Sequence, residues 1–176
     1  MRTAVALAAF VIGAGPALPT AGQPEGKEML PLDAEFVKAA SASNMAVQVA
    51  ARFGTTRSSK VPVTTFAQRI SSDQAKASED LIKLAVKKKF ERAKAVEKKD
   101  TDANVKMLGN EGAAFDRAFV ERMVVDRKAT IALYENQAKN GQDKDVKAYA
   151  EKHLPALRKQ LEMGEELAGK LGDGKQ

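Results

Sequence analysis

The stretch Phe115-Asp-Arg-Ala-Phe119-Val-Glu-Arg122-Met123-Val-Val-Asp126-Arg127-Lys-Ala129 has an earlier, degraded copy, Phe66-Ala-Gln-Arg69-Ile70-Ser-Ser-Asp73-Gln74-Ala-Lys76. Phe66 aligns with Phe119, Arg69 with Arg122, Ile70 with Met123 and Asp73 with Asp126, all at one offset (119 − 66 = 126 − 73 = 53). The shared pattern, Phe-x-x-Arg-[Ile/Met]-x-x-Asp, has helical spacing. It predicts that the Phe, the aliphatic residue and the Asp share one helix face, with the Arg four residues before the Asp at its edge. A duplicated helix-containing unit is a statement about architecture.

Reading outward, Asp33 can cap a first helix that runs to about Phe53 and carries Ala39, Ala42, Ala46, Val49 and Phe53 at steps of three and four. Gly54 reads as its stop, before a polar connection through Lys60. Pro62 suits the first turn of a second helix, where its missing N–H costs nothing. That helix extends to about Lys89 on a stripe of Val63, Phe66, Ile70, Asp73, Ala77, Leu81 and Leu84. A long charged linker follows, Phe90 to Gly112, with a short helix expected around Ala103 to Leu108. The third main helix spans Ala113 to Lys139 with Phe115, Phe119, Met123, Asp126, Thr130, Leu133 and Gln137 inward. Asn140-Gly141 ends it and Asp143 caps the fourth. The fourth runs to about Leu171 with Val146, Ala150, His153, Leu157, Leu161 and Gly164 inward, and Pro155 should kink it just after His153. Four helices, two short connections and one long one predict an all-α, ferritin-like antiparallel four-helix bundle over residues 33–171 with one long crossover connection.

The amino terminus predicts export. Met1-Arg2-Thr3, an apolar run from Ala4 to Ala14 and the small residues beyond it form a secretory signal peptide, residues 1–21, with cleavage after Ala17 or Ala21. The run is short of the roughly 20 apolar residues of a membrane-spanning helix. Residues 22–32 then form a flexible lead-in and 172–176 a frayed tail, and the mature chain is expected to be periplasmic or secreted. With no cysteine, the bacterial lipoprotein route, disulfides, thiolate nucleophiles and Cys-based metal sites are all excluded.

Charged residues make up 30% of the chain and aromatics 5%, with no Trp, which suits a helical bundle and argues against an aromatic-walled sugar cleft. The net charge of +6 keeps the chain soluble and could favour anionic surfaces, but is no nucleic-acid footprint. The basic run Lys87, Lys88, Lys89, Arg92, Lys94, Lys98 and Lys99 is interrupted by Glu91, Glu97 and Asp100. It reads first as a solvated helix end complementing the dipole, and second as a stripe for peripheral contact with anionic envelope components.

The two Phe-x-x-Arg-[Ile/Met]-x-x-Asp copies, Met45-Ala46, Gly112-Ala-Ala-Phe115-Asp116 and the tail Ala150-x-x-x-Leu154-Pro155-x-Leu157 together resemble an exported bacterial family known as domain of unknown function four-one-four-two. The resemblance covers nearly the whole mature chain and implies a ferritin-like bundle without an agreed activity. Members of that family commonly carry His directly after the Asp in both copies, where this chain has Gln74 and Arg127. They often have Glu where this chain has Val47, and His near the position of Gln160. Each departure removes a potential ligand.

The candidate chemistry is correspondingly thin. Ferritin-like di-iron sites need Glu-x-x-His on two helices; here His153 is the only histidine and Ala150 stands three residues before it. Asp73, Asp126 and His153 could together hold a divalent transition metal if they met at one level. The preferred reading is structural: Arg69 pairs with Asp73 and Arg122 with Asp126, each at i,i+4. His153 reads as a satisfied core histidine beside the proline. With no Cys and one His the usual nucleophile–base constellations shrink to Ser-Lys or His-Asp pairings, and Ser71 and Ser72 near Lys76 read as ordinary solvent-facing composition; no glycine-rich phosphate loop is present. The expectation is a non-catalytic exported bundle with no cofactor, its partner unknown, acting by binding or as an envelope or stress-related component.

Overall fold

The computed structural model describes residues 31–172, which form five helices and no strand: α1 (Pro31–Arg57), α2 (Val61–Lys88), α3 (Lys98–Leu108), α4 (Gly112–Asn140) and α5 (Lys144–Gly172). The expected signal peptide (1–21), residues 22–30 of the lead-in and residues 173–176 of the tail lie outside the described residues. Pro31 and Leu32, expected in the lead-in, already belong to α1. No helix among the described residues is long and apolar enough to cross a membrane.

The helix ends follow local chemistry. Pro62 sits in the first turn of α2. That helix closes on Lys89 in the left-handed region (φ 58), with the Lys89 and Phe90 N–H groups returning to the Val86 and Ala85 carbonyls. Asp143 Oδ1 accepts from the N–H of Asp145 (2.9 Å) and of Val146 (3.3 Å), capping α5. α5 runs unbroken through Pro155, an exposed residue. Pro155 leaves the Glu151 carbonyl without its amide partner, and Glu151 is itself an exposed residue.

Three expectations about helix ends need correction. Gly54 does not stop α1, which continues through it to Arg57. The glycine is there because a Cβ would lie 2.5 to 2.8 Å from three atoms of the Phe119 ring. Asp33 likewise does not cap its own helix. It is wholly buried in the first turn of α1 and accepts from the Gln137 side-chain amide and from the backbone N–H of Gln142 and of Asp143 (3.1 Å), so it secures the turn between α4 and α5. The short helix in the long connection also begins earlier than expected, at Lys98, where Lys98 and Asp102 form an i,i+4 pair at 2.6 Å.

α1 packs against α2 and α4, and α5 packs against the same two. The start of α1 meets the end of α4 through Asp33 and Gln137, and the start of α5 meets the end of α2 through Asp145 and Lys87. These neighbours are therefore antiparallel, and the connection carrying α3 lies across α1 and α4. The core falls into two apolar clusters. One gathers Phe36, Val37, Leu81, Tyr134, Tyr149 and Leu154; the other gathers Val47, Phe66, Ile70, Phe115, Phe119 and Met123. Phe66 and Phe119, the aligned aromatics of the repeat, meet edge to face at 6.2 Å.

The inward stripes are displaced by one residue at several positions. Gln74 replaces Asp73, Arg127 replaces Asp126, Tyr134 replaces Leu133, Leu154 replaces His153 and Gln160 replaces Leu161 among the buried side chains. In α1 Val47 is buried while Val49 is 41% exposed. One residue is about 100° of helix, enough to carry a side chain from the seam to its flank.

Candidate functional site

Between the two apolar clusters each of the four long helices contributes a buried polar side chain: Asn44 from α1, Gln74 from α2, Arg127 from α4 and Gln160 from α5. The hydrogen bonds fall into separate groups. Gln74 Nε2 donates to Asn44 Oδ1. Arg127 Nη1 donates to Gln160 Oε1 at 2.9 Å, and Gln160 Nε2 donates to Asp73 Oδ2 at 3.0 Å. The Ser43 and Thr130 hydroxyls meet at 3.4 Å. Tyr149 donates to the Ala77 carbonyl at 3.1 Å, which leaves its oxygen to accept from Tyr134 at 3.1 Å. These groups share one level because antiparallel neighbours bring the middles of their helices together.

The layer is rich in donors. Arg127 is 1% exposed, and its Nε and Nη2 have no acceptor among the described residues. Burial pushes its pKa below the ordinary arginine value, with the neighbouring Asp126 carboxylate working the other way. Burial pushes Tyr134 and Tyr149 up, so both stay phenols. A guanidinium fixed in the middle of the bundle repels any second cation placed beside it, and little screening is available there.

The convergence of Asp73, Asp126 and His153 on which the metal alternative depended does not occur, and the preferred Arg69–Asp73 and Arg122–Asp126 pairs are both formed. Asp73 lies on the α2–α5 flank with Arg69 Nε 2.6 Å away. Asp126 faces the crossover: Arg122 Nη1 is 2.9 Å from it, while Nη2 of the same arginine reaches Asp100 on α3 at 2.9 Å. His153 Nε2 lies 3.1 Å from Asp80, which also takes Lys152 at 2.7 Å, and its ring packs on Tyr149 at 4.7 Å. Each group has its own partners, and among the described residues no set of three or more His, Asp or Glu side chains is placed to hold a metal ion. The physical reason is the one-residue rotation, since the residue after each Asp takes the interior position.

Asp126 is unusual despite its arginine. Burial raises its pKa to about 6, against the opposing pull of Arg122 and Arg127. Burial lowers the pKa of His153, and Asp80 offsets part of the effect.

Several cations of the basic run are already paired. Lys87 reaches Asp145 (2.9 Å), and Lys88 reaches both Asp143 (2.7 Å) and Asp145 (2.8 Å). Lys98 pairs with Asp102 and Lys99 with Glu97 (2.9 Å). Lys89, Arg92 and Lys94 are exposed and have no ion pair among the described residues.

Sequence reasoning missed Asn44 altogether, and it treated Gln74, Arg127 and Gln160 only as departures from a resembled pattern. Those three departures meet in the buried layer. A family model described as "Domain of unknown function (DUF4142)" matches residues 16–167 of the chain. No curated protein and no solved structure matches it.

Proposed function

Because the chain belongs to the family described as Domain of unknown function (DUF4142), a description that assigns no activity, we propose its role from the geometry: an exported, non-catalytic, ferritin-like bundle that acts through its outer surface, as a binding or structural component of the envelope. The ferritin-like reading is supported by the antiparallel neighbours and by the long α2–α4 connection that carries α3. Export is supported by the signal-like sequence of residues 1–21.

The observation that carries the reading is Arg127. Helical bundles build metal and cofactor sites from inward side chains of facing helices, and here that level holds a buried guanidinium bonded to Gln160. The decisive experiment is titration of the purified chain with Cu(II), Zn(II) and Fe(II), alongside His153→Ala and Asp73→Ala. The expected result is no stoichiometric uptake by the parent chain beyond that of either variant. One ion bound per chain and lost in both variants would establish the metal-binding alternative instead.

A second reading, contact with anionic envelope components, rests on the exposed Lys89, Arg92 and Lys94. Sedimentation with anionic vesicles that weakens with salt, and weakens further when these three are changed to Gln, is its expected signature.

A further inference from the structure

A second feature lies at the opposite end of α2 from the basic run. The first turn of α2 and the last turns of α5 leave a groove of about 660 Å³ between them, within the roughly 300–1,000 Å³ range of small-ligand pockets. Its floor is apolar: Val63, Phe66 and Leu167 are buried core residues whose neighbours in the groove are Met163, Leu171 and Val61, the last 73% exposed. Its rim is cationic. Lys60 has no ion pair among the described residues, and Lys170 pairs only with Glu166, with both side chains about two-thirds exposed (67% and 65%). So exposed a pair is easily exchanged for another. The amino terminus of α2 adds partial positive charge at the same point, since no side chain caps it and no acidic residue stands in its first turn.

We propose that this groove binds a single-chain anionic amphiphile, a long-chain carboxylate, with the alkyl chain along Phe66 and Leu167 and the head group at Lys60, Lys170 and the α2 amino terminus. An apolar trough with a positive mouth discriminates by charge as well as by chain length. Residues 22–30 and 173–176 are poor occupants. Residues 22–30 join α1 at Pro31, beside the α4–α5 turn. The groove lies at the far end of α1, some 40 Å away for a helix of 27 residues. Nine extended residues reach about 30 Å. The four residues after Gly172, Asp-Gly-Lys-Gln, have no apolar side chain to fill it.

The test is calorimetric titration of the purified chain with myristate, shorter saturated carboxylates and tetradecyltrimethylammonium, all below their micellar concentrations. The expected result is one carboxylate per chain, with affinity rising about fourfold per added methylene and the cationic amphiphile binding at least tenfold more weakly. Val61→Asp and Lys60→Glu should each weaken myristate at least tenfold. An acid at either position suits the start of a helix, so both variants keep their fold. Arg127→Met should leave myristate binding unchanged, which separates this site from the buried layer. Equal binding of the cationic amphiphile, myristate binding untouched by both charge variants, or a dimer that Val61→Asp splits with no amphiphile bound would each overturn the assignment. So would uptake confined to a chain cleared of residues 1–21, because that segment would then be the occupant.

Discussion

The Arg127 guanidinium on α4 donates to the side-chain oxygen of Gln160 on α5 at 2.9 Å, and neither residue reaches solvent. A buried charge–amide pair holds two helices in register, but desolvating the charge offsets most of the attraction. Removing one partner should therefore hurt more than removing both. Gln160→Met alone, which strands the guanidinium, is expected to destabilise by about 3 kcal/mol. Arg127→Met with Gln160→Met should restore wild-type stability or exceed it by roughly 1 kcal/mol or more. Urea denaturation of the two variants checks this; a double variant less stable than the single one refutes the account.

Asp126 gives the fold an acid-side stability that most carboxylates do not. Its pKa is about 6 in the folded chain, raised by burial from an ordinary 3.8. The native state therefore holds this proton where the unfolded chain has released it. That contribution is fully present below about pH 4 and is lost as the pH rises through 6. Asp126→Asn removes the titration and keeps the shape, and Arg122 retains Asp100 as a partner. Measured against wild type, the variant should gain roughly 1–3 kcal/mol between pH 4 and pH 7. Parallel stability–pH curves for the two proteins would show that Asp126 titrates normally.

The repeat carried the architecture because Phe66/Phe119 and Ile70/Met123 stand at helical spacing, and apolar periodicity survives divergence. What it could not carry was the angular position of the polar residues. Asp73 and Gln74 differ by one step, and both are polar, so periodicity does not choose between them. The choice is made by desolvation: an amide or a paired guanidinium at the centre leaves each carboxylate on the flank beside its arginine. Gly54 misled for a related reason. A glycine at a helix end and a glycine under an aromatic ring look alike until the partner helix is in place.

That ring gives the next prediction. Gly54→Ala would gain helix propensity of about 1 kcal/mol. The new Cβ would lie 2.5 to 2.8 Å from the Phe119 ring, which is packed on every side. Overpacking costs roughly 1–3 kcal/mol and should win, giving a net loss that Phe119→Leu partly rescues. Gly169→Ala is the control, because nothing lies within 4 Å of its Cβ position. It should stabilise by about 0.5–1 kcal/mol. Thermal melts of both variants decide the matter; a stabilised Gly54→Ala would mean that α1 and α4 are further apart than described.

Asp33 and Asp143 are linked across 110 residues, the Asp143 N–H donating to Asp33 Oδ2 at 3.1 Å. The same carboxylate accepts from Gln142 N–H and from the Gln137 amide, so one side chain on α1 satisfies three donors at the α4–α5 turn. Asp33→Ala would leave the buried donors of Gln137 and Asp143 without an acceptor, at an expected cost of about 3 kcal/mol. Asp33→Asn keeps one acceptor oxygen and should lose about half as much. The loss should also be local before it is global, with amide exchange quickening first at residues 142–146 while the α2–α5 contact around Ala77 and Tyr149 stays protected. Hydrogen exchange followed residue by residue separates this from a general loss of packing. Uniform quickening across all four long helices would mean that Asp33 acts on the core as a whole and not on the turn.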